Sequence, residues 1–237
     1  MSDWKAKRFW KEASVAEAGA AYAITLDGRA VKTPAKQPLH VPTRAMALAI
    51  AQEWDAQKDL INPNTMPATK TANAAIDKVT IQHAEVADML AAYGDSDLLC
   101  YRADAPVELV ERQAEQWDPM LDWAAETLSA KLEARTGVMH LPQDPEVVEA
   151  LRRRTHALDA FELAAFHDLV SLSGSLILGF AAILDARPVE TLWKLSRLDE
   201  LWQEEKWGED ADATALAEIK REAFLHAKRM YDLRQAE

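Results

Sequence analysis

The spacing of apolar and polar positions changes period once along the chain, near residue 43. Before that point the stretch AYAITLDGRAVKTP alternates, with Tyr22, Ile24 and Leu26 in phase, then Asp27-Gly28, then Val31. A period of two marks a strand with one buried face. An Asp-Gly pair between two such runs signals a hairpin, because both central positions of a type I′ turn take positive φ. Pro34, Pro38 and Pro42 punctuate the segment after Val31. The pattern predicts a small antiparallel β region over residues 9–42.

From Thr43 the period is helical. TRAMALAIAQEWDAQ opens on a candidate N-cap, Thr43, and sets Met46, Ile50 and Trp54 on one stripe. Pro63 and Pro67 interrupt the chain, and residues 69–93 resume helical spacing. Residues 97–102, DLLCYR, fit either a short strand or the start of a helix. A helix is predicted over 106–128, with Leu109, Gln113, Trp117, Leu121 and Ala124 along it. Residues 131–141 fit a strand pair around Gly137. After Pro145 the predicted helices cover 146–157, 160–173, 174–185, 189–206 and 211–235. The expected fold class is α+β, mainly α. A small antiparallel β-containing N-terminal domain with flanking helices occupies 1–95, followed by a larger helical C-terminal domain over 96–237. No internal repeat of about 20–50 residues is visible.

Composition narrows the partners. The chain has 237 residues and is 49% hydrophobic, enough for a sizeable core in one large domain or two small ones. Its net charge of −12 repels phosphate backbones and anionic lipid, which argues against nucleic acid and leaves a basic or apolar protein partner. Cys100 is the single cysteine, so no intrachain disulfide forms, as suits a reducing compartment. The start, MSDWKAKRFWKEA, lacks the apolar core of a signal peptide. The apolar run LVSLSGSLILGFAAIL over 169–184 falls short of the roughly 18–20 residues that span a bilayer, so it reads as a buried central helix and no membrane insertion is expected. Within it Ser171, Ser175 and Gly179 recur at a four-residue step, a flat ridge that lets a neighbouring helix approach.

Candidate chemistry is sparse. Histidines 40, 83, 140, 156, 167 and 226 show neither H-x-x-x-H nor H-E-x-x-H spacing, and no phosphate-cradling glycine motif is present. No catalytic set, metal or cofactor is therefore predicted. Gly94-Asp95-Ser96-Asp97 is similar to the first block of the GDSL hydrolases, which would make Ser96 a nucleophile, but no histidine has an aspartate three residues before it. A turn is the competing reading, with Gly94 ending one helix. Asp118 and Asp122 stand one helical turn apart, as an acid–base pair or as a solvated face. The eight tryptophans are residues 4, 10, 54, 117, 123, 193, 202 and 207, and most fall on helical stripes. In RLDELWQEEKWGED, residues 197–210, Trp202 joins Leu192, Trp193, Leu195 and Leu198, while Trp207 lies past that stripe, just before a helix-stopping Gly208.

Six segments occur in order: RFWKEASV (8–15), LDGRAVKTP (26–34), AIAQEWDAQKDLINPNTMPATKTANAAID (49–77), SDLLCYRADAP (96–106), QWDPMLDW (116–123) and SRLDELWQEEKWGED (196–210). Together they resemble the ATP synthase assembly factor 2 family, chaperones of the α subunit of the F-type catalytic head. The resemblance implies a non-enzymatic protein that binds the unassembled α subunit until β arrives, without nucleotide or metal. No long basic transit peptide precedes it, which implies a bacterial, cytoplasmic chain or a processed one, the eukaryotic relatives being in the mitochondrial matrix. A tryptophan beside acids on a helix end suits an apolar anchor with a charged rim. The candidate partner-binding residues are then Trp207, Glu209 and Asp210, with Trp202 and Glu205 in the same segment. Glu53, Trp54 and Asp118 are secondary candidates by the same matching, Trp54 also fitting the core stripe. In the competing reading Trp207 caps the core and the acids stay in water. Two rival functions are a serine hydrolase using Ser96 and an acidic adaptor unrelated to ATP synthase.

Overall fold

A computed structural model of the chain describes residues 7–137 and 139–236; Trp4 lies outside them. It divides into two compact units, each made of more than one stretch. The first takes in the chain up to His83, the segment Ala160–Ala165 and the chain from Arg229 on; the second comprises Ala84–Asp159 and Phe166–Lys228. The single cut expected between residues 95 and 96 differs from this. The reason is apolar burial: Ala165 and Met230 belong to the core of the first unit, with Phe161, Tyr231 and Leu233 packed against it.

In the first unit the alternating stretch forms a sheet of β1 (Ala13–Ala18), β2 (Ala21–Leu26), β3 (Arg29–Ala30) and β4 (His40–Val41). Strand β2 pairs antiparallel with all three others, running from Ala13↔Leu26 to Ala18↔Ala21 along β1. Asp27 and Gly28 take φ of 48° and 78°, the positive-φ pair the Asp-Gly signal requires. Ile24, Leu39 and Val41 are fully buried with Met46 and Ile50 from α1 (Arg44–Asp55). The Thr43 hydroxyl caps α1 by accepting from the Met46 N–H at 3.2 Å, and donates to the Leu233 carbonyl at 2.6 Å. The helical spacing from residue 69 is realised in pieces: α2 (Pro67–Ala74), a π turn over Ala75–Val79, and α3 (His83–Ala91). The Asp77 carboxylate in that π turn accepts from the Thr33 hydroxyl at 2.6 Å and the Ala35 N–H at 3.0 Å, tying down the loop before β4.

The second unit is helical. Helix α4 (Val107–Leu128) runs unbroken through Pro119. Proline removes one intrahelical bond, and here both Pro119 and Glu115, whose carbonyl loses that partner, are exposed residues. Residues 101–102 form strand β5 (Tyr101–Arg102), which pairs in parallel with β6 (Arg135–Thr136). That corrects the strand pair expected within 131–141: β6 finds its partner far away in sequence, not across Gly137. The remaining helices are α5 (Pro145–His156), α6 (Ala160–Ser173), α7 (Leu176–Ile183), α8 (Val189–Ser196), α9 (Leu198–Trp207) and α10 (Ala211–Gln235).

Every residue of α7 is buried, as expected of a central helix. The small-residue ridge needs correction. Gly174 takes φ +70° and Ser175 caps α7, so Ser171 and Gly179 lie on different helices. Gly179 nevertheless marks a close approach, because a Cβ there would stand 2.7 Å from Val170 Cγ2 and 3.1 Å from Phe166 Cε2 on α6. Gly94 lies in the 3₁₀ turn Ala92–Asp95 that follows α3, the turn expected there, and is buried where a Cβ would meet Leu151 at 3.0 Å. Among the described residues no helix is long and apolar enough to cross a membrane.

Candidate functional site

The acidic tryptophan stretch splits between two roles. Arg197 leaves helical geometry, so the helix expected over 189–206 is α8 followed by α9. On α9, Leu198 and Trp202 point inward and are buried. The Trp202 ring has the Arg112 guanidinium 4.7 Å and the Lys206 ammonium 4.5 Å from its centre, a cation–π pair. Arg112 donates two hydrogen bonds to the Glu205 carboxylate, at 2.8 and 2.9 Å. Those bonds hold the Glu205 carboxyl below its usual range. Trp202 and Glu205 thus fasten α9 to α4.

Trp207 is different. It ends α9 and is 79% exposed, the most exposed of the described tryptophans. Gly208, at φ +92°, donates to the Glu204 carbonyl at 2.9 Å and stops the helix. Glu209 and Asp210 come next, both exposed. Asp210 is more than a surface acid, since its Oδ1 accepts from the N–H groups of Asp212 and Ala213, each at 2.9 Å, and so caps α10. The arrangement is a bare indole held between two fixed helices, with carboxylates beside it.

A cleft of 460 Å³ also adjoins α9, its walls including Trp117, Trp193, Asp199, Glu200, Gln203 and Lys220. Asp199 accepts from the Gln113 amide at 2.7 Å through Oδ1. The acid run in the sequence contained Asp199 and Glu200, but nothing in its spacing set them apart from the other carboxylates.

The secondary candidates are occupied. Glu53 accepts from the N–H groups of Ala68 and Thr69 at 2.6 and 2.8 Å and from the Thr69 hydroxyl at 2.7 Å, so it anchors the start of α2. Trp54 is half-buried, its ring 5.3 Å from that of Trp10, against the core of the first unit. Asp118 pairs with Arg102 at 2.8 Å on the surface of the second unit. Ser96 is exposed after the 3₁₀ turn, and among the described residues no hydrogen bond joins it to a histidine. Its neighbour Asp95 pairs with His140 at 3.2 Å and accepts from the Gln143 N–H at 2.7 Å. Among the described residues no group of three or more His, Cys, Asp or Glu is placed to hold a metal.

Residues 7–125 match the family model described as ATP12 chaperone protein. The mitochondrial protein atp12 of Schizosaccharomyces pombe is 29% identical over 219 residues, which are 87% of this chain and 75% of that relative. The crystal structure of Atp12 from Paracoccus denitrificans is 49% identical, covering 98% of this chain and 100% of its own, with a TM-score of 0.94. A point mutant of P. denitrificans Atp12p gives 0.95 at the same identity and coverage. The chain belongs to the ATP12 chaperone family.

Proposed function

We propose that this member of the ATP12 chaperone family holds the unassembled α subunit of the F-type ATP synthase and keeps it from aggregating until it pairs with β. It does so by binding and release, without covalent chemistry. A subunit that will be buried in an assembly exposes apolar surface before its neighbours arrive, and such patches aggregate. A removable cover needs a rigid apolar anchor and a polar rim that lets water back in.

The observation that carries this reading is Trp207: a 79% exposed indole at the end of a helix whose preceding turns are pinned by Trp202 and the Arg112–Glu205 pair. An anchor fixed before binding loses little conformational entropy on docking. Glu209 and the cleft carboxylates Asp199 and Glu200 supply acid for basic groups on the partner, and exposed charges of this kind act mainly on association rate.

The test is capture of purified, separate α and β subunits on the immobilised chain. The expected result is retention of α in preference to β, and roughly tenfold or weaker retention of α by Trp207→Ala, the loss typical of a buried tryptophan anchor. Equal retention by parent and variant would remove Trp207 from the interface. Failure of the parent to retain α would remove the partner.

A further inference from the structure

Helix α10 carries one apolar face along its length and buries only part of it. Leu216, Ile219, Ala223, Ala227 and Met230 succeed one another at steps of three, four, four and three, which keeps them on one side of a helix. Ala227 and Met230 are each 1% exposed, whereas Leu216 is 53% and Ile219 64% exposed. Over residues 205–220 Ala217 is the single position that is not exposed. The first three turns of α10 therefore stand in water with their apolar face uncovered.

These turns are preformed nonetheless. Asp210 caps them, and Arg221 braces them from below by bonding Glu190 at 2.7 Å and Glu218 at 2.6 and 2.8 Å. The rim has a sign. Residues 209–222 hold five carboxylates, Glu209, Asp210, Asp212, Glu218 and Glu222, against Lys220 and Arg221, a net of −3. Like charges facing each other across an interface are costly, so the same face of a second copy is a poor match and a basic rim a good one.

We propose that the first three turns of α10 are a docking arm, which lays Leu216 and Ile219 in an apolar groove with a basic rim on the subunit the chaperone holds. This rests on the α-subunit reading and adds a second contact, separate from Trp207. The Gly208 turn joins the two along the chain, Trp207 ending α9 and Asp210 capping α10.

The experiment compares the full chain with a Leu216→Gln, Ile219→Gln double variant, using purified α subunit as the probe. Glutamine keeps helix propensity, and both positions are exposed, so the variant should melt within a few degrees of the parent. The expected result is at least tenfold weaker capture of α by the variant, together with slowed amide exchange at residues 213–220 when the parent binds α. Equal capture with unchanged exchange overturns the arm and leaves the α-subunit reading standing. A parent that dimerises with rising concentration, while the variant stays monomeric and both capture α equally, also overturns it by making a second copy the occupant. A parent that captures no α overturns the reading and the arm together.

Discussion

Asp97 shows what single side chains do in this fold. It is fully buried, and its carboxylate accepts from the Leu99 N–H at 3.0 Å, the Ser175 hydroxyl at 2.7 Å and the Ile177 N–H at 3.0 Å, which ties the turn after Ser96 to the start of α7. Burial pushes its carboxyl up to about 6, against an ordinary 3.8. The folded chain therefore holds this proton more tightly than the unfolded chain does. The stabilisation is complete below the unfolded value and is lost as pH rises through the folded one. The unfolding free energy of the parent minus that of Asp97→Asn should accordingly be larger at pH 5 than at pH 7, with a slope of at most about 1.4 kcal/mol per pH unit. A difference that is flat with pH would contradict the shift. Gly179 gives a second test at this scale. With Val170 Cγ2 2.7 Å from where a Cβ would go, Gly179→Ala should lower stability by about 1–3 kcal/mol, read from a denaturant midpoint. The Thr43 cap and the Asp27-Gly28 turn were legible in the sequence because both are settled within a few residues. The role of Asp97 was not, because Ser175 and Ile177 lie far along the chain.

At the scale of elements, helix ends separate folding from docking. Glu53 binds the first turn of α2 through three hydrogen bonds, so Glu53→Gln should cost about 1–3 kcal/mol of stability, and any loss of chaperone function should track the loss of folded protein. Asp210→Ala removes the α10 cap and should cost about 1 kcal/mol, whereas Glu209→Lys should stay within about half a kcal/mol and change only association and its salt dependence. Thermal melts paired with association rates distinguish the two. Element types were mostly readable from the period: the hairpin, α1, α4 and α5 stand close to where the spacing put them. Breaks inside apolar runs were not. Arg197 separates α8 from α9 and the π turn at Ala75–Val79 ends α2, each within a stretch whose apolar spacing alone reads as continuous, whereas the break at Gly174 stands where the helices predicted over 160–173 and 174–185 meet. Likewise β6 pairs with β5 across a separation that no local pattern encodes.

At the scale of the whole molecule the chain crosses between its two units more than once. Short segments of α6 and α10 complete the core around the sheet, with Ala165 and Met230 inside it. A boundary read from where strands give way to helices misses this, because the returning segments are themselves helical. The family, in contrast, was legible from six ordered motifs, most of whose residues serve the scaffold: Glu53 and Trp54 hold the first unit, Trp202 and Glu205 the second. Trp207 stands apart from these four as a motif residue whose large ring is exposed. The most direct measurement is therefore light scattering from refolding α subunit with equimolar chaperone, parent against Trp207→Ala, at matched melting temperature. The parent is expected to suppress scattering and the variant largely to fail. Equal suppression by the two proteins, or none by the parent, would contradict the role given to Trp207 and to the α subunit.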